Sequence, residues 1–229
     1  MKRLIFTLAI AVCACTNISS QHELKANIGR SYSNSYNYTS FVNTLNYNEV
    51  RTESNKSIQL GASYGCYVKC NLKLFAEMSF QQKGYSSWLI DTTGPVVGDD
   101  RFVYEYNFLN TTFGVAYYTD LGLYASFGLT NSSLLSATRD LTTRVHYETN
   151  PMSSEESVSS VDLYGDCYTG YIVPTMGIGY QMGDLSIELS HTRIGSYGYY
   201  GEESYFYYFD PYGLNSVSLL VGYSKLIIR

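Results

Sequence analysis

The chain has 229 residues with 15 basic and 20 acidic side chains, 25 tyrosines, 19 glycines and only 4 prolines. A net charge of −5 without basic clusters argues against nucleic acid as a partner, and the length suits a single all-β domain. Abundant tyrosine favours strands over helices, and a charged content of 15% is too low for the surface of an ordinary soluble domain of this size.

The chain opens with "MKRLIFTLAIAVCACTNISSQ": Lys2 and Arg3, an apolar run over residues 4–15, then small residues. This is the layout of a secretory signal with cleavage after Ser20, and the apolar run is too short to span a membrane as a helix. Ala14 before Cys15 loosely matches a lipidation box, so lipidation at Cys15 stands as the alternative. The predicted organisation is therefore a signal peptide over 1–20 and one domain over 21–229. Without residues 1–20, 13 basic residues face 20 acidic ones, a net charge of −7. Cys66, Cys70 and Cys167 are then an odd, unevenly spaced set, which is not a disulfide framework. Cys66 and Cys70 could pair across a turn, but the favoured reading is plain thiols, and no zinc motif is present.

Period-two alternation predicts eight strands. The first is weak, with Leu24, Ala26 and Ile28 against Lys25, Asn27 and Gly29. The second sets Ile58, Leu60, Ala62 and Tyr64 against Gln59, Gly61, Ser63 and Gly65. The third sets Leu72, Leu74, Ala76, Met78 and Phe80 against Lys73, Phe75, Glu77, Ser79 and Gln81. The fourth covers 109–117 and, after "TD" at 119–120, the fifth covers 123–130. The sixth, 172–180, contains Pro174, which cannot donate to a ladder. "GD" at 183–184 is a two-residue hairpin signal leading to the seventh strand, 185–190. The eighth covers 216–224. Connections alternate between long (33–56, 89–101, 137–168, 198–213) and tight (69–71, 119–120, 183–184).

That asymmetry, with one polar and one apolar face, fits two barrels of opposite polarity. A soluble lipocalin-like carrier turns its polar face to water, whereas an outer-membrane barrel is inside out. Over the seven clear strands the polar face is mostly Gly, Ser, Thr, Asn and Gln, with charges at Lys73, Glu77 and Glu188 alone, which suits a narrow lumen rather than a solvated surface. The predicted fold is an all-β, eight-stranded antiparallel up-and-down transmembrane β-barrel with four long external loops and three short periplasmic turns. Lys73, Glu77 and Glu188 are expected to form a lumen polar network that acts as a packed plug. Tyr85 and Trp88 are expected to form an interfacial aromatic rim at the external side.

The stretches "FAEMSFQQKGY" (75–85), "YNFLNTTFGVAYY" (106–118), "LGLYASFGLTNSSLLSATRD" (121–140) and "NSVSLLVGYSKL" (215–226) carry a family likeness in their order and spacing. The chain resembles the Gram-negative outer-membrane β-barrel family that includes PorT-like proteins, often labelled "porin family". It departs from that pattern at Asn110 and Thr112, where the family commonly has Glu and Pro, and at its "IIR" ending. The resemblance implies an eight-stranded outer-membrane barrel without one shared activity, and in a few PorT-like members a role in protein secretion.

The expected function is a non-enzymatic, monomeric barrel in the bacterial outer membrane, with a side-chain-filled lumen. It would act structurally or through its external loops, with outer-membrane lipid or lipopolysaccharide as partner and no cofactor. Tyrosine-rich "SYSNSYNYTS" and "SYGYYGEESYFYYFDPYG" suit contact surfaces or an aromatic belt. Glu155, Glu156, Asp162 and Asp166 invite bridging cations, but EF-hand spacing is absent. A secretion accessory is the alternative. A hydrolase is disfavoured, since the bases at hand are His22, His146 and His191, and Ser190 beside His191 points to the other face of its strand.

Overall fold

The computed structural model describes residues 21–35, 49–91, 96–147, 150–162, 170–194 and 214–228. The signal segment with Cys15 and Ser20, Cys167, Asp166 and most of the tyrosine-rich loop sequence lie outside these residues, as do the side chains of His146, Glu155 and Glu156. The alternating segments form nine strands: β1 (Gln21–Ser35), β2 (Glu49–Lys69), β3 (Leu72–Asp91), β4 (Val96–Tyr118), β5 (Leu123–Tyr147), β6 (Asn150–Asp162), β7 (Gly170–Met182), β8 (Leu185–Ile194) and β9 (Leu214–Ile228).

Every pairing is antiparallel. Neighbours in sequence pair from β1 to β5, β5 pairs β7, β7 pairs β8, and β8 pairs β9. The ring closes where β9 pairs β1, from Gln21 opposite Ile228 to Ser35 opposite Leu214. The result is an eight-stranded up-and-down barrel, with β6 outside the ring and paired to β5. Closure gives each strand of the ring a hydrogen-bonded neighbour on both sides, as a barrel in lipid requires.

The alternation decides the faces. Leu24, Ile28, Ile178 and Leu219 point outward and are each more than half exposed, while Asn27, Ser186 and Ser218 point inward and are buried. Pro174, on the outward face of β7, lies opposite Leu129 of β5. The β7–β8 ladder ends one residue away at Thr175, so the missing N–H leaves that ladder intact.

Two of the four long connections differ from the sequence expectation. Within 89–101, β3 runs to Asp91 and β4 starts at Val96. Residues 137–168 largely continue β5 to Tyr147 and return as β6. The physical reason is that hydrogen-bonded ladders persist where the apolar alternation fades, because strand faces above an apolar belt have no need of it. β3, β4 and β5 reach 20, 23 and 25 residues, roughly twice the 9–11 that a tilted strand needs to cross a bilayer. The upper halves of β3 to β5, flanked by the top of β2 and by β6, therefore form a one-sided wall above the ring.

At the other end the turns are tight. Cys70 and Asn71 join β2 to β3, and Gly183 and Asp184 join β7 to β8. Between β4 and β5 the Thr119 N–H donates to the Leu123 carbonyl at 2.8 Å, and the Gly122 N–H donates to the Thr119 carbonyl at 3.0 Å. Gly122 has φ +84° and packs on the Gln181 carbonyl, while Gly183 has φ +60° and open space around it. Gly122→Val is expected to destabilise the barrel by about 2 kcal/mol or more, since it adds a clash to left-handed backbone strain. Gly183→Asn should cost under about 1 kcal/mol. Urea unfolding in detergent micelles compares the two.

Candidate functional site: the barrel lumen

The inward face of each strand adds small or polar side chains to a lumen whose bottom layer is ionic. Lys73 on β3 reaches across to Glu23 on β1, Nζ to Oε1 at 2.9 Å, with both side chains nearly fully buried. The other Glu23 oxygen accepts a 2.7 Å hydrogen bond from the Tyr67 hydroxyl. The Lys73 ammonium sits 5.0 Å from the Tyr118 ring centroid and 5.8 Å from that of Tyr67, within cation–π range. Tyr118 stacks on Tyr124 at 4.9 Å, which links this pair to a second one.

In that second cluster the Tyr124 hydroxyl donates to Glu188 Oε2 at 2.7 Å. Lys25 Nζ lies 3.3 Å from the same oxygen, and Ser126 donates to Oε1 at 3.3 Å. Glu77 accepts from the Asn27 amide at 3.2 Å and has no cationic partner among the described residues.

Above the ions lies a layer of neutral hydrogen bonds. Gln81 Nε2 donates to Ser31 at 2.9 Å and Ser218 at 3.2 Å, and Asn110 donates to Gln81 Oε1 at 3.0 Å. Thr112, Thr130, Thr175 and Thr192 join hydroxyls across four strands at 2.8, 2.6 and 3.3 Å. Higher still, Phe108, Tyr106, Tyr104 and Phe102 form a column up β4, and Tyr85 stacks on Tyr104 at 4.7 Å. Lys83 is fully buried there, its Nζ 5.4 Å from the Phe108 ring centroid.

Lys73, Glu77 and Glu188 thus all face the lumen, but not as one three-residue network. Lys73 pairs with Glu23 and Glu188 with Lys25, and Glu77 belongs to neither pair. Both partners come from β1, the weakest strand of the sequence pattern. Their signal was parity: Glu23 and Lys25 occupy the positions opposite to Leu24 and Ile28. Tyr85 departs from the expected rim. Position 85 shares the inward phase of Lys73 and Gln81, so its ring is buried against Tyr104 instead of facing out. Trp88 keeps the outward phase and carries the Arg101 guanidinium 4.9 Å from its ring. Three exposed outward tyrosines, Tyr117, Tyr180 and Tyr223, gather at the turn end, and a fourth, Tyr32, lies toward the other end. Ser190 is buried inward and His191 exposed outward, so their phases separate them as the strand period requires. Cys66 is buried and Cys70 exposed, and neither is in a disulfide.

No protein-family model matches the chain, and no curated protein matches it in sequence. Among solved structures it is similar to the attachment invasion locus protein Ail of Yersinia pestis (11% identity, 89% of this chain and 98% of that one, TM-score 0.41). It is also similar to Neisserial surface protein A (10%, 88% and 96%, TM-score 0.35). A third is the N-terminal β-barrel domain of Pseudomonas aeruginosa OprF (16%, 90% and 98%, TM-score 0.34). These neighbours are outer-membrane barrel proteins of Gram-negative bacteria. The barrel assignment rests on the closed strand ladders of the chain itself.

Removing one member of the Lys73–Glu23 pair strands a buried charge, and such losses cost about 3–5 kcal/mol. Lys73→Met should therefore lower stability by an amount in that range. Lys73→Met combined with Glu23→Gln should recover a large part of the loss. A double-mutant cycle by urea unfolding measures the coupling.

Proposed function

We propose that the protein is a non-enzymatic integral barrel of the bacterial outer membrane, closed to solutes, that works through contacts made by its one-sided external wall. The observation that carries this reading is the lumen: ion pairs, an amide–hydroxyl layer and stacked aromatics succeed one another along its length. The chemistry of the lumen is structural, since its charged groups are largely engaged in cross-barrel pairs. The outward belt of Leu, Ile, Val and Phe supports a lipid environment, because so continuous an apolar exterior is unsuited to water. Positive charge at the centre of that belt would cost roughly 2–4 kcal/mol per residue, and among the described residues Arg30 is the outward cation flanked by belt residues, Ile58 and Leu219.

Outer-membrane lipid is the partner that the surface fits best. Above the belt, an outward cleft of about 290 Å³ is lined by Asn55, Lys56, Gln82, Ser86 and Arg101 among others. Two exposed cations, Lys56 and Arg101, outnumber the one carboxylate of the lining, Glu105, and with the amide and hydroxyl donors beside them suit a phosphate on a glycolipid headgroup. The secretion-accessory alternative rests on the PorT-like sequence resemblance, and no feature of lumen or wall favours it over the contact role.

The purified, refolded protein should migrate faster on a gel unheated than boiled, and in cells it should fractionate with outer membranes. In planar lipid bilayers it should leave the current at baseline. Recovery from the soluble periplasm would overturn the location, and steady, sizeable channels would overturn the closed lumen.

A further inference from the structure

Among the described residues, the lumen holds a cavity of about 30 Å³ at the level of the hydroxyl layer, lined by Gln59, Glu77, Ser79, Asn110 and Glu188 together with the threonines of that layer. One water needs about 10–15 Å³ measured this way, so the space admits one small ion with a water. Register spreads the lining groups over four residues of β3, so the Glu77 and Gln59 side chains meet only by leaning toward the level of Ser79 between them. Glu77, Ser79 and Gln81 point inward in succession along β3, Asn110 of β4 lies opposite Ser79, and Gln59 of β2 lies opposite Gln81. Gln59 and Asn110 therefore approach the inward face of β3 from its two sides.

Two independent features ask for an occupant. The first is charge. Among the described inward side chains of the two ionic clusters and this cavity, Lys25 and Lys73 face Glu23, Glu77 and Glu188, and the third buried lumen lysine, Lys83, stands six residues along β3 from Glu77, about 20 Å by strand rise, so one carboxylate has no cation beside it. An uncompensated carboxylate is costly in so narrow a space. The second is hydrogen bonding. Gln59 and Asn110 are 7% and 3% exposed, and the side-chain carbonyl oxygen of each has no hydrogen-bond partner among the described residues. The orientation of Asn110 is fixed, because its Nδ2 is already committed to Gln81. Each unanswered buried acceptor costs about 1–3 kcal/mol.

We propose that this cavity binds a single monovalent hard cation, of the sodium class, between Glu77 and the side-chain carbonyl oxygens of Gln59 and Asn110. The ligand set is all oxygen, which suits hard cations and disfavours copper or zinc. One positive charge balances the excess carboxylate, whereas a divalent ion would overshoot it. A proton on Glu77 would supply a single donor and leave at least one of the two carbonyl oxygens unmet. Water would meet the oxygens but leave the charge.

The test is urea unfolding of the purified protein in zwitterionic micelles at pH 8, in sodium chloride against choline chloride at equal ionic strength. The midpoint should rise with sodium and saturate, as binding to the folded state alone requires. Glu77→Gln should abolish the sodium-dependent rise. Gln59→Leu, which keeps the carboxylate, should raise the half-saturating sodium concentration at least tenfold. Equal wild-type midpoints in the two salts would overturn the site, as would a sodium-dependent rise unchanged in both variants.

Discussion

The width of an eight-stranded barrel governs the rest of this molecule. Such a lumen is just wide enough for side chains to fill, so every long residue inside it needs a short one beside it. The glycines of the inward face meet that need. A Cβ at Gly65 would lie 2.9 Å from the Lys73 stem, and one at Gly177 would lie 2.5 Å from Glu188 Oε1. One at Gly179 would press on the Tyr124 ring, and one at Gly222 on Lys25. Glycine is ordinarily a weak strand residue. Here it makes room for charges that tie β1 to β3 and β8, so local strand propensity yields to cross-barrel fit.

The same constraint divides the tyrosines into two populations with different work. Tyr67, Tyr118 and Tyr124 stand in the lumen, where the ring fills space and the hydroxyl can serve a carboxylate. Tyr117, Tyr180 and Tyr223 stand outside near the turn end, where an amphipathic ring suits a boundary between apolar and polar surroundings. Tyr117 and Tyr118 are adjacent in sequence and belong to opposite populations.

Much of this was legible from residue order. Parity alone assigned Lys73, Glu77 and Glu188 to the lumen and Ala76, Met78 and Phe80 to the exterior. Partner choice was not legible, because it depends on the stagger between strands, which no single strand encodes. Lys73 and Glu77 invite pairing with each other at a spacing of four, yet in a strand that spacing spans about 13 Å, and Glu23 on another strand is nearer. Tyr85 was misplaced for a simpler reason. Its neighbours Gly84 and Lys83 read as the end of a strand, but β3 continues, and continuing the count turns the ring inward. The wall was hidden because its strands lack apolar alternation, although Tyr104, Tyr106 and Phe108 keep a period of two.

β4 and β5 pair along one ladder from Tyr118 opposite Tyr124 up to Val96 opposite Tyr147, with a single bulge at Leu135. The part that stands clear of the ring and the part within it are thus one continuous fabric. A pull on the tip along the strand axis loads the parallel array of hydrogen bonds together, in shear, instead of opening them one at a time from an end. Whatever grips the tip grips the whole cylinder, and the mechanical anchor is the barrel rather than a hinge.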